Sequence, residues 1–339
     1  DVTPGTVLFA DAFDSDTSAN WIVHHTADED SEAVFGYDYS QMGIPEAPNS
    51  SGSSAAQKGL RLRAHLTTDA TVTPGISVSP LNGDFGEDYR LRFDMWMNHN
   101  GPLAAGGAGS TQNSSYGVGT TAQSVTSATS TAEGIWFTAT GDGGVADTSV
   151  SQADFGIMVA NSLIPVALGY YAAGTDSNAR GNGHPYYTVF GGSAAPVAQL
   201  NNFPSQTGAV NTGGLGMAWH AVTLTKSGDI VTWEVDGYLL ATVPISETYG
   251  QLPGNNIFLG FFDWFASANG APDLQFVIYD NVRIESFATP LQITAIELID
   301  GGTQVRIAFS ASNTATPEQF QLHTAAEADG SYQNDPAAI

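Results

Sequence analysis

The chain contains no cysteine. A disulfide framework, thiolate metal sites and a cysteine nucleophile are thereby excluded. Basic residues are scarce: 9 Lys+Arg stand against 34 Asp+Glu, and Lys58 and Lys226 are the only lysines among 339 residues. The net charge of −25 repels phosphate backbones and anionic headgroups, so no nucleic-acid partner is expected. No apolar run approaches the ~18 residues of a membrane-spanning helix, so no membrane insertion is expected. His-Glu-x-x-His, phosphate-loop, dinucleotide and Gly-x-Ser-x-Gly patterns are all missing. Helical periodicity is nearly absent as well, and no repeat of fixed period occurs.

What is present is apolar residue in quantity and in alternation. Hydrophobic residues make up 42% of the chain, enough for a real core in spite of 38 glycines. Leu60, Leu62, Ala64 and Leu66 alternate with Arg61, Arg63 and His65; Leu91, Phe93, Met95 and Met97 alternate with Arg92, Asp94, Trp96 and Asn98. Val231, Trp233 and Val235 lead into Asp236-Gly237, a tight-turn pair, and then into a strand over 239–243. Further strands are predicted over 257–262 and 276–284. Many strands without crossover helices predict an all-β sandwich or barrel. Three long loops interrupt it, at 98–133, 141–154 and 172–216, and loops of that length in a compact domain tend to carry function.

A boundary is expected near Thr289-Pro290. Residues 1–288 form the main domain in this reading, and 289–339 a small β segment with strands over 291–298, 304–309 and 319–323. That segment is too short to hold a strong core alone. The chain opens on Asp1, and its loops are rich in Gly, Ser, Thr and Asn with few lysines. An extracellular or cell-surface location, with a signal peptide already removed, is the expectation.

Several segments resemble a known family. Phe9-Ala-Asp-Ala-Phe-Asp-Ser-Asp with Trp21 is similar to the opening strand of laminin-G-like and concanavalin-A-like jelly rolls. Trp219-His-Ala-Val-Thr-Leu-Thr-Lys-Ser-Gly, then Val231-Thr-Trp-Glu-Val-Asp-Gly, and the closing Leu274-Gln-Phe-Val-Ile-Tyr-Asp-Asn-Val-Arg-Ile resemble later strands of the same fold. The whole layout looks like large surface proteins of environmental bacteria, in which a short fibronectin- or immunoglobulin-like module follows. The resemblance covers roughly residues 7–287 and implies a concanavalin-A-like jelly-roll sandwich with long loops plus a small C-terminal β segment. It does not fix function, because the fold serves lectins, hydrolases and structural proteins alike.

Laminarinase-type hydrolases of this fold carry Glu-x-Asp-x-x-Glu on one strand. Glu234-Val-Asp236 matches the first half, but Leu239 holds the third position and Asp236-Gly237 reads as a turn, so no enzyme activity is expected. His24 and His25, adjacent on a strand, point to opposite faces and do not share an ion. Calcium is the most credible cofactor, since carboxylates and loop carbonyls supply its six to eight oxygens. Asp11, Asp14 and Asp16 on the opening strand and its turn, with Asp280 on the closing strand, are the candidate ligands; Asp142 and Asp147 mark a second acidic loop.

Glycan binding needs flat aromatic faces ringed by amides and carboxylates. If Phe93, Met95 and Met97 face inward, then Asp94, Trp96 and Asn98 face outward; by the same logic Trp136 points out between Ile135 and Phe137. Arg61, Arg63, His65 and Arg92 accompany them, and Tyr170, Tyr171, Tyr186, Tyr187 and Trp264 are candidate walls. The competing reading, favoured because indoles rarely stay exposed without use, is that the long loops fold over this face and bury them in a second core. The leading expectation is a non-catalytic extracellular module that binds polysaccharide or surface glycan. The alternative is a structural subunit of an extracellular filament or surface layer, in which copies of the chain associate through the C-terminal β segment.

Overall fold

The computed structural model describes residues 5–26, 30–50, 57–67, 74–100, 112–121, 132–141, 154–206, 209–264 and 271–286, together with strands at 292–299, 304–310, 323–324 and 333–334. The second acidic loop, Asp142 to Asp147, lies outside the described residues. The chain divides into two compact units: residues 6–286, and residues 1–5 with 287–339.

The larger unit is a jelly-roll sandwich of two antiparallel sheets. One sheet joins β1 (Val7–Asp11), β3 (Ser31–Asp38), β4 (Lys58–Ala64), β6 (Tyr89–Asn98), β11 (Trp219–Ser227), β12 (Ile230–Val235), β13 (Tyr238–Pro244) and β15 (Phe276–Ser286). Its order is β13-β12-β11-β6-β15-β4-β3, with β1 also pairing β15. The other sheet, with seven strands, comprises β2 (Trp21–His25), β5 (Gly75–Pro80), β7 (Gln112–Thr120), β8 (Ile135–Thr140), β9 (Phe155–Val159), β10 (Ser162–Leu163) and β14 (Asn256–Asp263). Its order is β10-β9-β8-β7-β14-β5-β2. Helix is confined to single turns and to α1 (Val197–Asn202) and α2 (Ile245–Thr248).

The alternation in sequence explains the layering. Successive side chains on a strand face opposite ways, so Leu91, Phe93, Met95 and Met97 of β6 enter the space between the sheets with Leu60 and Leu62 of β4. The opposite sheet meets them with Tyr116, Ile135, Phe137 and Phe261. Phe137 stacks on Trp233 at 5.0 Å between ring centroids, and Phe93 meets Tyr116 edge-on at 5.1 Å. Each such buried side chain contributes roughly 1.5–3 kcal/mol of transfer free energy. Asp236 (φ 52°) and Gly237 (φ 74°) close the β12–β13 hairpin as a two-residue turn. Positive φ at both central residues suits the right-handed strand twist and selects Asp-Gly. The free edge of β13 is covered: Thr242 N donates to Tyr170 O and Ala172 N to Leu240 O, each at 2.9 Å.

The outer face of each sheet carries a second, smaller core. On the eight-stranded sheet, Trp96, Phe276 and Ile278 lie beneath Tyr39, Ile44, Ala195, Val210 and Met217, contributed by the 39–50 and 195–217 segments. On the seven-stranded sheet, Trp136, Met158, Phe258 and Phe262 cluster with Ala132, and Trp264 packs against them.

The smaller unit contains β16 (Gln292–Ile299) paired with β17 (Gln304–Ser310), and β18 (His323–Thr324) paired with β19 (Gln333–Asn334). These are two separate two-stranded ribbons.

Candidate functional site

Burial removes the two indoles expected on an open aromatic face. Trp96 is 2% exposed and Trp136 1%. They also belong to different sheets, β6 and β8, and face outward on opposite sides of the sandwich, so they never share a surface. Their polar ends are consumed internally: Trp96 Nε1 donates to Asn98 Oδ1 at 3.2 Å and Trp136 Nε1 to Ala160 O at 2.8 Å. Asn98 donates in turn to Leu274 O and accepts from Gln199. Trp264 is half-buried on the Trp136 side, edge-on to Phe262.

The loop tyrosines divide. Tyr171 and Tyr187 are core residues; the Tyr171 hydroxyl bonds Ile164 O, and Tyr187 stacks on Phe155 at 4.1 Å. Tyr170 and Tyr186 stay half-exposed beside β13, their hydroxyls donating to Glu247 and to Leu239 O. His65 is buried against Asp263 at 2.7 Å, and that hydrogen bond raises its pKa although burial opposes the charge.

The four aspartates expected to hold calcium do not converge. Asp11 accepts from Trp21 Nε1 and Phe13 N; Asp16 caps Ser18 N at the exposed turn. Asp14 is exposed, and Asp280 is buried beneath Tyr39. Among the described residues no three His, Cys, Asp or Glu side chains gather to hold a metal ion. A calcium site of six to eight oxygens does not fit this arrangement.

Asp94 and Asp280 form a different structure. They are directly opposed on β6 and β15. Asn49 donates to Asp94 through its backbone N (3.0 Å) and side-chain Nδ2 (2.7 Å), and Asn281 Nδ2 adds a third bond at 2.8 Å. Asp280 accepts from the Tyr39 hydroxyl and from Asn281 N. Burial pushes Asp280 up to about 8, against the Tyr39 and Asn281 hydrogen bonds, and the charges of Asp94 and Asp14 push the same way. Burial likewise raises Asp94, opposed by the Asn281 and Asn49 bonds. Two buried carboxyls therefore clamp the 39–50 strap onto the sheet. Trp219 Nε1 fastens its middle by donating to Pro45 O at 2.7 Å.

Among the described residues the strap leaves part of the outer face uncovered. Beyond it lies an open trough of about 630 Å³, bounded by Asn49 and Asn281 on the strap side. Its floor follows one row of ladder partners: Glu234 opposes Thr223, Thr223 opposes Arg92, Arg92 opposes Arg283, and Arg283 opposes Ala10. At about 4.8 Å per strand the row runs roughly 19 Å across the sheet. Small residues, Ala10, Ala221 and Gly237, keep it open. Glu285, 9% exposed, sits beside both arginines, with Arg92 Nη1 at 3.6 Å and a short bond from Arg283 Nε. Asp236 lies just outside: burial raises its carboxyl, but the His220 hydrogen bond and charge hold it below its ordinary value.

Thr223, Asn281 and Arg283 lie inside the segments that resemble the jelly-roll family, yet neither they nor Glu285 and Asn49 were expected at a site. One signal was available: with few cations in the chain, Arg90, Arg92 and Arg283 all stand at outward positions of alternating strands. Glu234 is the one carboxylate of the tempting Glu-x-Asp pattern that reaches the trough; Asp236 is turned into the hairpin and bound by His220 and Ala221 N.

No protein-family model matches the chain. No curated protein matches it. Among solved structures, a Bacillus subtilis protein of unknown function with a galectin-like fold is similar over 85% of this chain and 99% of its own, at 8% identity and a TM-score of 0.44. A structure from work on endo-acting O-glycanases of the human gut microbiota, which initiate mucin breakdown, matches 83% of this chain and 99% of its own at 12% identity and TM-score 0.40. The Ca²⁺-bound exoplasmic/lumenal domain of VIP36 matches 88% and 94%, at 10% identity and TM-score 0.38. Similarity of this degree carries nothing about ligand or activity; the fold assignment rests on the strand order and register of the chain itself.

Proposed function

We propose that this chain is a non-catalytic extracellular module that binds a polysaccharide along the trough of the eight-stranded sheet. The observation that carries the reading is the cross-strand row itself: an open groove kept clear by small residues, in which Glu234, Thr223, Arg92 and Arg283 present polar groups one strand apart. Extended carbohydrate presents hydroxyls at every ring, and amide, guanidinium and carboxylate planes match them bidentately. Binding is favoured over hydrolysis because glycoside hydrolysis needs two working carboxyl groups across the scissile bond. Glu234 lines the trough with Asp11, but the Asp11 carboxylate is bound by Trp21 Nε1 and Phe13 N, Asp94 is sealed under Asn49 and Asn281, and Asp236 is held by His220.

Affinity electrophoresis against a panel of neutral and acidic polysaccharides tests this. At least one polymer should retard the wild type, and Thr223→Trp, which fills the trough from a half-buried position in its floor, should abolish retardation while the variant still melts cooperatively as a folded chain. Absence of retardation across the panel, or an unaffected Trp variant, overturns the reading. Release of reducing ends that Glu234→Gln abolishes would overturn the non-catalytic part.

A further inference from the structure

Resting on the trough reading, we propose that its ligand is an acidic polysaccharide whose carboxylate or sulfate group is held between Arg92 and Arg283.

Cations are rare in this molecule, and their distribution is uneven. Of 9 Lys+Arg in a chain of net charge −25, five arginines (Arg61, Arg63, Arg90, Arg92 and Arg283) stand on the outer face of the eight-stranded sheet. Arg61 and Arg63 are neutralised by Glu32 and Asp273, and Arg90 donates to Thr225. Arg92 and Arg283 differ. They are direct ladder partners, a placement that costs stability when both carry the same charge. One carboxylate, Glu285, serves both, so the trio keeps a charge of +2 − 1 = +1. Among the described residues the Arg92 guanidinium donates no hydrogen bond; its single ion pair is the 3.6 Å contact with Glu285. Both guanidinium side chains are close to half exposed, at 47% and 46%, and both line the trough.

A guanidinium presents five donors in a plane, and two facing forks fit a planar carboxylate or a sulfate ester far better than a neutral hydroxyl. Glu234, two positions along the row, lies about 10 Å away at strand spacing. The trough thus has a cationic end for an acid group and an acidic end for sugar hydroxyls. An acidic protein segment fits less well. The trough offers small residues where side-chain anchors would need pockets, and its row runs across the strands, whereas β-addition lays a segment along one strand edge. Global repulsion between the −25 chain and a polyanion is screened within about 8 Å at physiological salt, so the local pair decides.

The test is affinity measurement at physiological salt with polygalacturonate, dextran sulfate, neutral dextran, neutral β-glucan and polyglutamate. The carboxylated or the sulfated polysaccharide should bind, and the two arms identify which anion the site takes. Arg92→Ala and Arg283→Ala should each weaken it about tenfold or more, the loss of a charge-assisted hydrogen bond, with Arg92→Lys in between. Melting curves should show the variants folded. If a neutral glucan binds as tightly and Arg92→Ala has no effect, while Thr223→Trp still abolishes binding, the anionic inference fails and the trough reading stands. If polyglutamate binds as well as the acidic polysaccharide, the inference fails in favour of a protein partner. If nothing binds, or Thr223→Trp changes nothing, the trough reading falls and takes the inference with it.

Discussion

Trp96 shows how much a single position depends on what covers it. Its outward parity follows from Phe93, Met95 and Met97 facing the core, and the structure keeps that parity. Its neighbours are Trp219, with ring centroids 5.9 Å away, and the strap residues Tyr39 and Ile44 rather than solvent. Trp96→Ala should therefore cost about 3–5 kcal/mol in denaturant unfolding, the usual range for an aromatic truncated in a packed core. An indole that stacked on ligand from an open face would lose affinity instead and leave stability unchanged. Arg92 is the converse case: the same strand and the same outward parity, but with its side chain 47% exposed because none of the described segments lies above it. Alternation tells in from out, and it is silent on whether the outside is wet.

At the scale of elements, the 39–50 strap and the β15 bulge work as one device. The register of β15 on β6 shifts between Asp280 and Arg283, and Asn281 adopts φ 52° there. The bulge lets Asn281 Nδ2 reach both Asp94 and Ser50, tying strand to strap. Asp280, raised by burial to about 8, binds its proton more tightly in the folded chain than in the unfolded one. The stabilisation this provides is complete below about pH 4, the ordinary carboxyl range, and is lost as pH rises to about 8. Unfolding free energy of the wild type should decline over that window, and Asp280→Asn should flatten the decline; a wild-type curve as flat as the variant's would refute the clamp. The Asp-Gly turn of β12–β13 was legible because two residue types dictate its backbone. The bulge was not, since Asp-Asn-Val-Arg also reads as unbroken strand and only pairing with two different partners, β4 and β1, on one edge of β15 forces the kink.

For the whole molecule, charge is the governing quantity. A surplus of 25 negative charges repels itself, while five of the few cations are gathered on one sheet face. Added salt screens that repulsion, so the melting temperature should rise between about 10 mM and 0.3 M sodium chloride. A fall over that range would mean that the ion pairs on the cationic face outweigh the general repulsion. The sandwich sustains such a charge because its apolar interior runs through both sheets and is reinforced by a packed layer on each outer face.

The sequence alone determined the all-β architecture, the identity of the inward faces, the hairpin turn and the exclusion of cysteine chemistry. These follow from local rules: side-chain alternation, turn propensity and residue type. Only the tertiary structure decided which outward residues are sealed beneath the 39–50 and 195–217 segments and which remain in an open trough. It also set Arg92 against Arg283, and Asp94 against Asp280, across a ladder between strands far apart in the chain. Alternation constrains each strand by itself, whereas coverage and cross-strand opposition are properties of register and loop path, fixed only when distant segments pack together.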